Sequence, residues 1–134
     1  MAVFIDTGIF VAVRNKRDNN HTRGKLLMKQ ALTGQYGQIL TSDYVVDEAV
    51  TTALARTRRL DIAKKTGSYI MDSPRILKLH VSEEEFNRAW KKFQELRKPL
   101  SFTDTTTLTL MEEHGVEKIM SFDSDFDGLA QRIS

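Results

Sequence analysis

Short apolar runs alternate with longer segments of helical periodicity along the whole chain. Each apolar run is bounded by turn residues, which is typical of buried strands. The predicted strands are Ala2–Ile5, Gln38–Thr41, Ile76–Val81 and Val116–Phe122. The predicted helices are Asn20–Leu32, Tyr44–Arg58, Leu60–Met71, one opened by Ser82 and Glu85, one running from Ser101 and Asp104 to His114, and a short one near Phe126.

Strands that are apolar throughout and separated by helices predict a parallel sheet covered on both faces. We therefore expect an α/β fold, a three-layer α/β/α sandwich with a short, mainly parallel central sheet of four to five strands. The length of 134 residues fits a single domain over residues 1–134. In such folds ligands bind beyond the carboxyl ends of the strands, so we expect the functional residues to lie there.

Composition narrows the class of protein only moderately. The chain has no cysteine, so disulfides and thiolate metal sites are excluded and a reducing compartment fits. No apolar stretch approaches the roughly 20 residues that span a bilayer, and the N-terminus lacks the pattern of a signal peptide. We expect a cytoplasmic protein with no membrane partner. A net charge of +2 permits a nucleic-acid partner without requiring one.

Acidic residues follow the predicted strands in several separate parts of the chain. They are Asp6 after the first strand, Asp43, Asp47 and Glu48 after the second, Asp104 at the start of the helix before the fourth, and Asp123, Asp125 and Asp127 after the fourth. Carboxylates that converge at one sheet edge repel one another and raise each other's proton affinity. A divalent cation relieves that repulsion, and an all-oxygen ligand set favours Mg²⁺ or Mn²⁺ over zinc.

Each acid also has an ordinary structural explanation. Asp104 forms a capping-box pattern with Ser101, and Asp6 could shape a turn marked by Thr7 and Gly8. Glu48 lies opposite the apolar stripe of its helix, as surface glutamates do, and Asp47 competes with it for the same role. The convergence of several segments, not any single acid, supports a site.

In their order and spacing these segments resemble the PIN-domain nucleases and, within them, the VapC-type toxins of prokaryotic toxin–antitoxin pairs. The resemblance rests on VFIDTGIF, DNNHTRGKLL, LTSDYVVDEAV, LSFTDTTTLTLMEEHG and IMSFDSDF, and it extends over nearly the whole chain. It places the family glutamate on Glu48 and the third-motif aspartate on Asp104. In the fourth motif it places the hydroxyl residue on Ser121 and the acid on Asp123, with Asp125 as a more variable position.

The resemblance implies a Mg²⁺- or Mn²⁺-dependent endoribonuclease. It assigns catalysis to Asp6, Glu48, Asp104 and Asp123, metal binding to Asp6, Asp104, Asp123 and Asp125, and hydrogen bonding to carboxylates or water to Thr7 and Ser121. It also implies RNA as substrate, a cognate antitoxin protein as partner, and a homodimer. A non-catalytic PIN-fold module that binds RNA or protein, and a standalone RNA-processing nuclease, remain alternatives.

Basic clusters suggest where RNA is held. Arg14, Lys16 and Arg17 follow the first strand closely and are the predicted phosphate contacts. The other clusters, at 56–59 with 64–65, at 91–92 and at 97–98, are more simply interpreted as solvated helix faces. The aromatic row Phe86, Trp90 and Phe93 has helical spacing, which favours core or dimer packing over base stacking.

Three other families that place an acid after the first strand or bind nucleotides do not fit. A haloacid-dehalogenase phosphatase needs a second acid where Gly8 stands. A response-regulator receiver needs a lysine at the end of its last strand, where Ser121, Phe122 and Asp123 lie. A P-loop needs a Gly-Lys-Ser/Thr sequence that the chain lacks.

Overall fold

In the computed structural model, which describes all of residues 1–134, five strands form one sheet. They are β1 (Ala2–Ile5), β2 (Gln38–Ser42), β3 (Ile76–Leu79), β4 (Lys118–Met120) and β5 (Gln131–Ile133). Their order is β3-β2-β1-β4-β5, and every neighbouring pair is parallel. The predicted parallel sheet is confirmed.

Six helices cover this sheet. They are α1 (Thr7–Arg14), α2 (His21–Leu32), α3 (Asp43–Thr57), α4 (Leu60–Met71), α5 (Glu83–Gln94) and α6 (Phe102–Glu113). Helices α1 to α4 contact one another, and α5 packs along α6. The chain moves from β1 to β3 in one direction across the sheet and returns to β4 in the other, so right-handed crossovers place the two groups on opposite faces. This confirms the predicted three-layer sandwich.

The reversal of direction occurs between β1 and β4, and it defines where a ligand pocket is expected. In β1, Val3, Phe4 and Ile5 are each 0% exposed, so this strand runs through the centre of the core. The backbone N–H of Asp6 donates to the carbonyl of Met120 at 3.0 Å, which holds the carboxyl ends of β1 and β4 side by side. In open parallel sheets a ligand crevice lies at such a switch point, beyond the carboxyl ends of the strands.

Three local predictions were wrong. Residues 7 and 8 do not form a turn, because α1 begins at Thr7 directly after the strand. Five of its eight residues are buried, so α1 lacks the polar face that reveals an amphipathic helix in a sequence. The strand β5 was not predicted, and the segment Ser124–Phe126 is a 3₁₀ turn and not the start of a helix.

Helix α5 buries less than its pattern predicted. Its capping box between Ser82 and Glu85 is present, and Ala89 is fully buried. However, Phe86 and Trp90, expected on the buried face, are 42% and 51% exposed. The helix therefore offers an aromatic face to the outside. None of the six helices has the length and apolar character that crossing a membrane requires.

Candidate active site

Asp6 is delivered to the switch point by β1 and serves as the N-cap residue of α1. Its carboxylate does not cap that helix, so both oxygens are available for other partners. Oδ2 accepts a hydrogen bond from the Ser121 hydroxyl at 2.6 Å, whereas Oδ1 is buried with no partner. Burial raises the pKa of Asp6 from 3.8 to about 6, against the opposing effect of the Ser121 hydrogen bond.

The loop after β4 supplies the next members of the site. Ser121 is fully buried, and its Oγ accepts a hydrogen bond from the backbone N–H of Asp123 at 3.0 Å. One hydroxyl thus links the acid after β1 to the backbone that carries the acid after β4. The Asp123 carboxylate in turn accepts from the backbone N–H of Asp125 at 2.9 Å. Position 121 therefore needs a small residue that can both donate and accept.

Asp104 both caps α6 and lines the cavity, the two roles that the sequence left open. Its Oδ2 accepts from the backbone N–H of Ser101 at 3.2 Å, and its own N–H donates to the Ser101 hydroxyl at 3.0 Å, completing the capping box of α6. It also lines the same cavity as Asp6. Burial, followed by the negative charge of Asp6, raises the pKa of Asp104 from 3.8 to about 7.

The acids of the four motifs line one polar cavity of about 650 Å³. Glu48, projecting from α3, faces this cavity, whereas its competitor Asp47 is exposed and does not line it. The cavity contains one apolar residue, Phe122, among 15 lining residues, so it suits a charged ligand better than an apolar one. Asp6, Glu48, Asp104 and Asp123 are therefore brought together.

Two predicted participants have different surroundings. Thr7 lines the cavity, but its buried hydroxyl has no hydrogen-bond partner. Asp125 is not part of the lining. Of the two acids in the fourth motif, Asp123 is the one that faces the cavity, and the assignment of Asp125 as a ligand stays a prediction without geometric support.

The predicted RNA contacts divide between two neighbouring cavities. Arg17 lines the acidic cavity. Arg14 and Lys16 line an adjacent basic cavity instead, and the Arg14 guanidinium lies 4.5 Å from the centre of the Tyr69 ring. Sequence reasoning missed Asp18 and Arg56, which also line the acidic cavity and approach each other at 3.6 Å. Nothing in their local sequence distinguishes them from surface charges, because residues 18 and 56 meet only in the folded chain.

The donor set fits a hard divalent cation. All of its charged donors are carboxylates, two with raised pKa values, and one buried oxygen of Asp6 lacks any partner within the protein. The carboxylates are not drawn into a tight group of three at ligand distance. The residues that would hold the ion are Asp6, Glu48, Asp104 and Asp123.

Comparisons with known proteins agree with this geometry. The PIN domain family profile matches residues 3–131. A VapC ribonuclease of Archaeoglobus fulgidus is 26% identical over 129 residues, covering 94% of this chain and 80% of that protein. The 23S rRNA-specific endonuclease VapC20 of Mycobacterium tuberculosis is 26% identical over 125 residues, covering 92% of this chain and 91% of that protein.

Solved structures share the fold over nearly the full length. The crystal structure of Mycobacterium tuberculosis VapC20, described as a sarcin–ricin loop cleaving toxin, has a TM-score of 0.83 at 25% identity and covers 95% of this chain and 94% of that one. A chain of the VapBC2 complex from Rickettsia felis has a TM-score of 0.66 at 12% identity, over 99% of this chain and 96% of that one, and shows the fold alone. The resemblance to VapC-type PIN domains read from the motifs is confirmed. Since the profile spans almost every residue, this chain belongs to the PIN domain family.

Proposed function

We propose that this protein is a metal-dependent endoribonuclease and the toxin of a toxin–antitoxin pair. The observation that carries the proposal is a cavity lined by carboxylates from four separate segments, among them Asp6, whose buried Oδ1 has no partner within the protein. Burying a charged oxygen without a partner costs several kcal/mol unless something else compensates it, so a cationic ligand is the simplest explanation. The relative VapC20 is a 23S rRNA-specific endonuclease, which suggests RNA cleavage as the reaction.

Each residue of the site has a role in the proposed reaction that follows from its position. When bound, Mg²⁺ or Mn²⁺ neutralises phosphate charge and activates the attacking water. Ser121 fixes the orientation of the Asp6 carboxylate through its 2.6 Å hydrogen bond. The capping box holds Asp104 at the cavity wall, so that its position depends on the start of a rigid helix and not on a mobile loop. Arg17 and Arg56 supply positive charge at the rim for the substrate phosphate.

The antitoxin is proposed from the same charge pattern. A cavity that gathers Asp6, Glu48, Asp104 and Asp123 attracts a basic side chain of a partner protein as well as a metal ion. The solved relatives include chains described as toxin–antitoxin complexes, from Rickettsia felis and Klebsiella pneumoniae. Inhibition of the nuclease by a small protein encoded beside it is the expected result, and a location in the cytoplasm follows from it.

A homodimer is proposed through the aromatic face of α5. Phe86 and Trp90 are 42% and 51% exposed there, and Phe86 meets Phe102 of α6 with ring centres 5.2 Å apart. The large apolar residues exposed on α4, Leu60 and Met71, lie at its two ends and form no such cluster. Light scattering should find a dimer that Trp90→Ser weakens and Leu60→Ser does not, and equal dimerisation of both variants would contradict this assignment.

The decisive experiment measures cleavage of total bacterial RNA and of a sarcin–ricin loop oligonucleotide, the first substrate suggested by VapC20. We expect cleavage with Mn²⁺, none with EDTA, and loss of activity in Asp6→Asn. Asp47→Asn is the matched control, because Asp47 is an acid of α3 outside the cavity. Cleavage that survives both EDTA and Asp6→Asn would refute the metal mechanism. RNA binding without any cleavage would favour the alternative of a binding module.

A further inference from the structure

A second cavity, of about 470 Å³, lies beside the acidic one and carries the opposite charge. Its lining contains a single acid, Asp61, and a single apolar residue, Ile62. Its basic residues are Arg14, Lys16, Arg17, Arg56, Arg59 and Lys65. Because the whole chain has a net charge of only +2, this excess of positive charge is a local property of the cavity.

The turn between α3 and α4 is built to hold two of these arginines. Arg58, between them, is the one residue other than glycine with a positive φ, at 57°. The Thr57 hydroxyl donates to the Ala53 carbonyl at 2.7 Å and accepts from the Arg59 backbone N–H at 3.1 Å. A left-handed residue costs about 1 kcal/mol or more and persists where its surroundings impose it. The strained turn brings Arg56 and Arg59 to the same cavity.

Most of the positive charge in the cavity is not neutralised within the protein. Arg59 forms an ion pair with Asp61 at 2.7 Å, whereas Lys16, Arg17 and Lys65 form none. Clustered like charges repel one another and attract ligands of opposite charge. This pattern indicates a polyanion that is not part of the chain.

The two cavities are adjacent and share part of their lining. Asn15, Arg17 and Arg56 line both of them. The Arg56 side chain is 60% exposed and only loosely paired with Asp18, so it is free to reach either side. A nucleic-acid strand with one phosphate at the acids would place a neighbouring phosphate beyond these shared residues, where positive charge is concentrated.

Resting on the ribonuclease function proposed above, we propose that the basic cavity binds the RNA phosphates flanking the scissile bond. Lys16 and Lys65 then act as substrate-binding residues distant from the acids. A protein partner fits this surface less well, since docking proteins rely on apolar anchors and the lining offers Ile62 alone. Phosphate contacts position a strand without reading its bases, so this cavity contributes affinity and register but no sequence preference.

The test measures binding of a fluorescent mixed-sequence single-stranded RNA to the full-length Asp6→Asn protein in EDTA. The added variants are Lys16→Ala, Lys65→Ala and, as matched control, Lys64→Ala. Lys64 is the exposed neighbour of Lys65 on α4, carries the same charge and does not line the cavity. Each lost phosphate contact should reduce the slope of log affinity against log salt concentration by about 0.7. We expect that change in both cavity variants and not in the control.

Equal slopes for Lys65→Ala and Lys64→Ala would overturn the proposal while leaving the nuclease function intact. If the cavity variants keep RNA affinity but lose affinity for a polyglutamate peptide, the cavity belongs to an acidic protein and the proposal is wrong. Failure of the nuclease function appears separately, as wild-type protein that cuts neither total bacterial RNA nor the sarcin–ricin loop oligonucleotide with Mn²⁺ although Lys65→Ala still weakens binding.

Discussion

The buried Asp6 carboxyl should make the metal-free protein less stable at neutral pH than in mild acid, and Asp6→Asn should remove the part of this loss that Asp6 causes. Burial raises the pKa of Asp6 from 3.8 to about 6, so the folded state binds a proton more readily than the unfolded chain. Stability falls with rising pH wherever the folded state holds more protons, here between about pH 4 and pH 6. The asparagine has no proton to lose and can still accept from Ser121 through its amide oxygen.

The size of the effect follows from the pKa values. A rise from 3.8 to about 6, at 1.36 kcal/mol per pKa unit, corresponds to about 3 kcal/mol of unfolding free energy. Asp104 adds to the loss in the wild type, since its pKa is raised to about 7 partly by the charge of Asp6. The two acids titrate as a coupled pair, so their contributions are not summed. Against a total stability of about 5–15 kcal/mol, a difference of this size is readily measured.

Urea denaturation between about pH 4 and pH 8 in EDTA measures this difference, with m-values checked for constancy. The stability advantage of Asp6→Asn over wild type should grow by about 3 kcal/mol across the range. Asp47→Asn, outside the cavity, should run parallel to wild type. Adding Mn²⁺ should restore wild-type stability selectively, since a ligand that binds the folded state at about 100 times its Kd stabilises it by about 2.7 kcal/mol. Parallel pH profiles for wild type and Asp6→Asn would refute the reasoning.

Three further predictions about the fold and the site can be tested by denaturation or NMR. Gly37→Ala should destabilise the protein by about 3 kcal/mol, because its Cβ would lie 2.2 Å from the Met1 carbonyl oxygen. Gly34→Ala is the control: it is also at positive φ but has open space around it, and should cost about 1 kcal/mol. Equal losses of stability would contradict the clash. Arg58→Gly should stabilise by about 1 kcal/mol by relieving its left-handed backbone, and a loss of stability would show that its side chain matters more. Ser121→Ala should raise the pKa of Asp6 above about 6 in a carboxyl ¹³C titration, because it removes a hydrogen bond that lowers that pKa; an unchanged value would contradict the assignment.

The parts of the fold that the sequence predicted well are those with a strong period or a strong terminal signal. The patterns at Ser82 and Ser101 predict helix starts, and the structure has a capping box at each. Helix α1 and strand β5 were missed for opposite reasons. The first is buried on nearly all sides and shows no polar face, and the second is three residues long with an exposed glutamine.

The residues of the site, too, could be predicted from the sequence only in part. Acids that follow strands could be predicted, because parallel strands bring their carboxyl ends to one edge whatever lies between them. Arg56 could not, because its place in the site depends on how α3 packs beside α1. The place of Lys65 depends on the left-handed turn at Arg58, which joins α3 to α4. Long-range packing of helices, and not any local pattern, decides which exposed cations border the acids.

Asp104 shows why a structural and a functional explanation of one residue need not compete. The capping box fixes its backbone and one carboxylate oxygen through Ser101, which stabilises α6 by about 1 kcal/mol. The same geometry directs the carboxylate into a cavity where burial and Asp6 raise its pKa to about 7, a cost to the folded state at neutral pH. An acid chosen for capping alone would sit in solvent without that cost. Asp104 caps α6 at a position where its negative charge destabilises the folded protein, and a bound cation that offsets this cost best explains why an acid is found there.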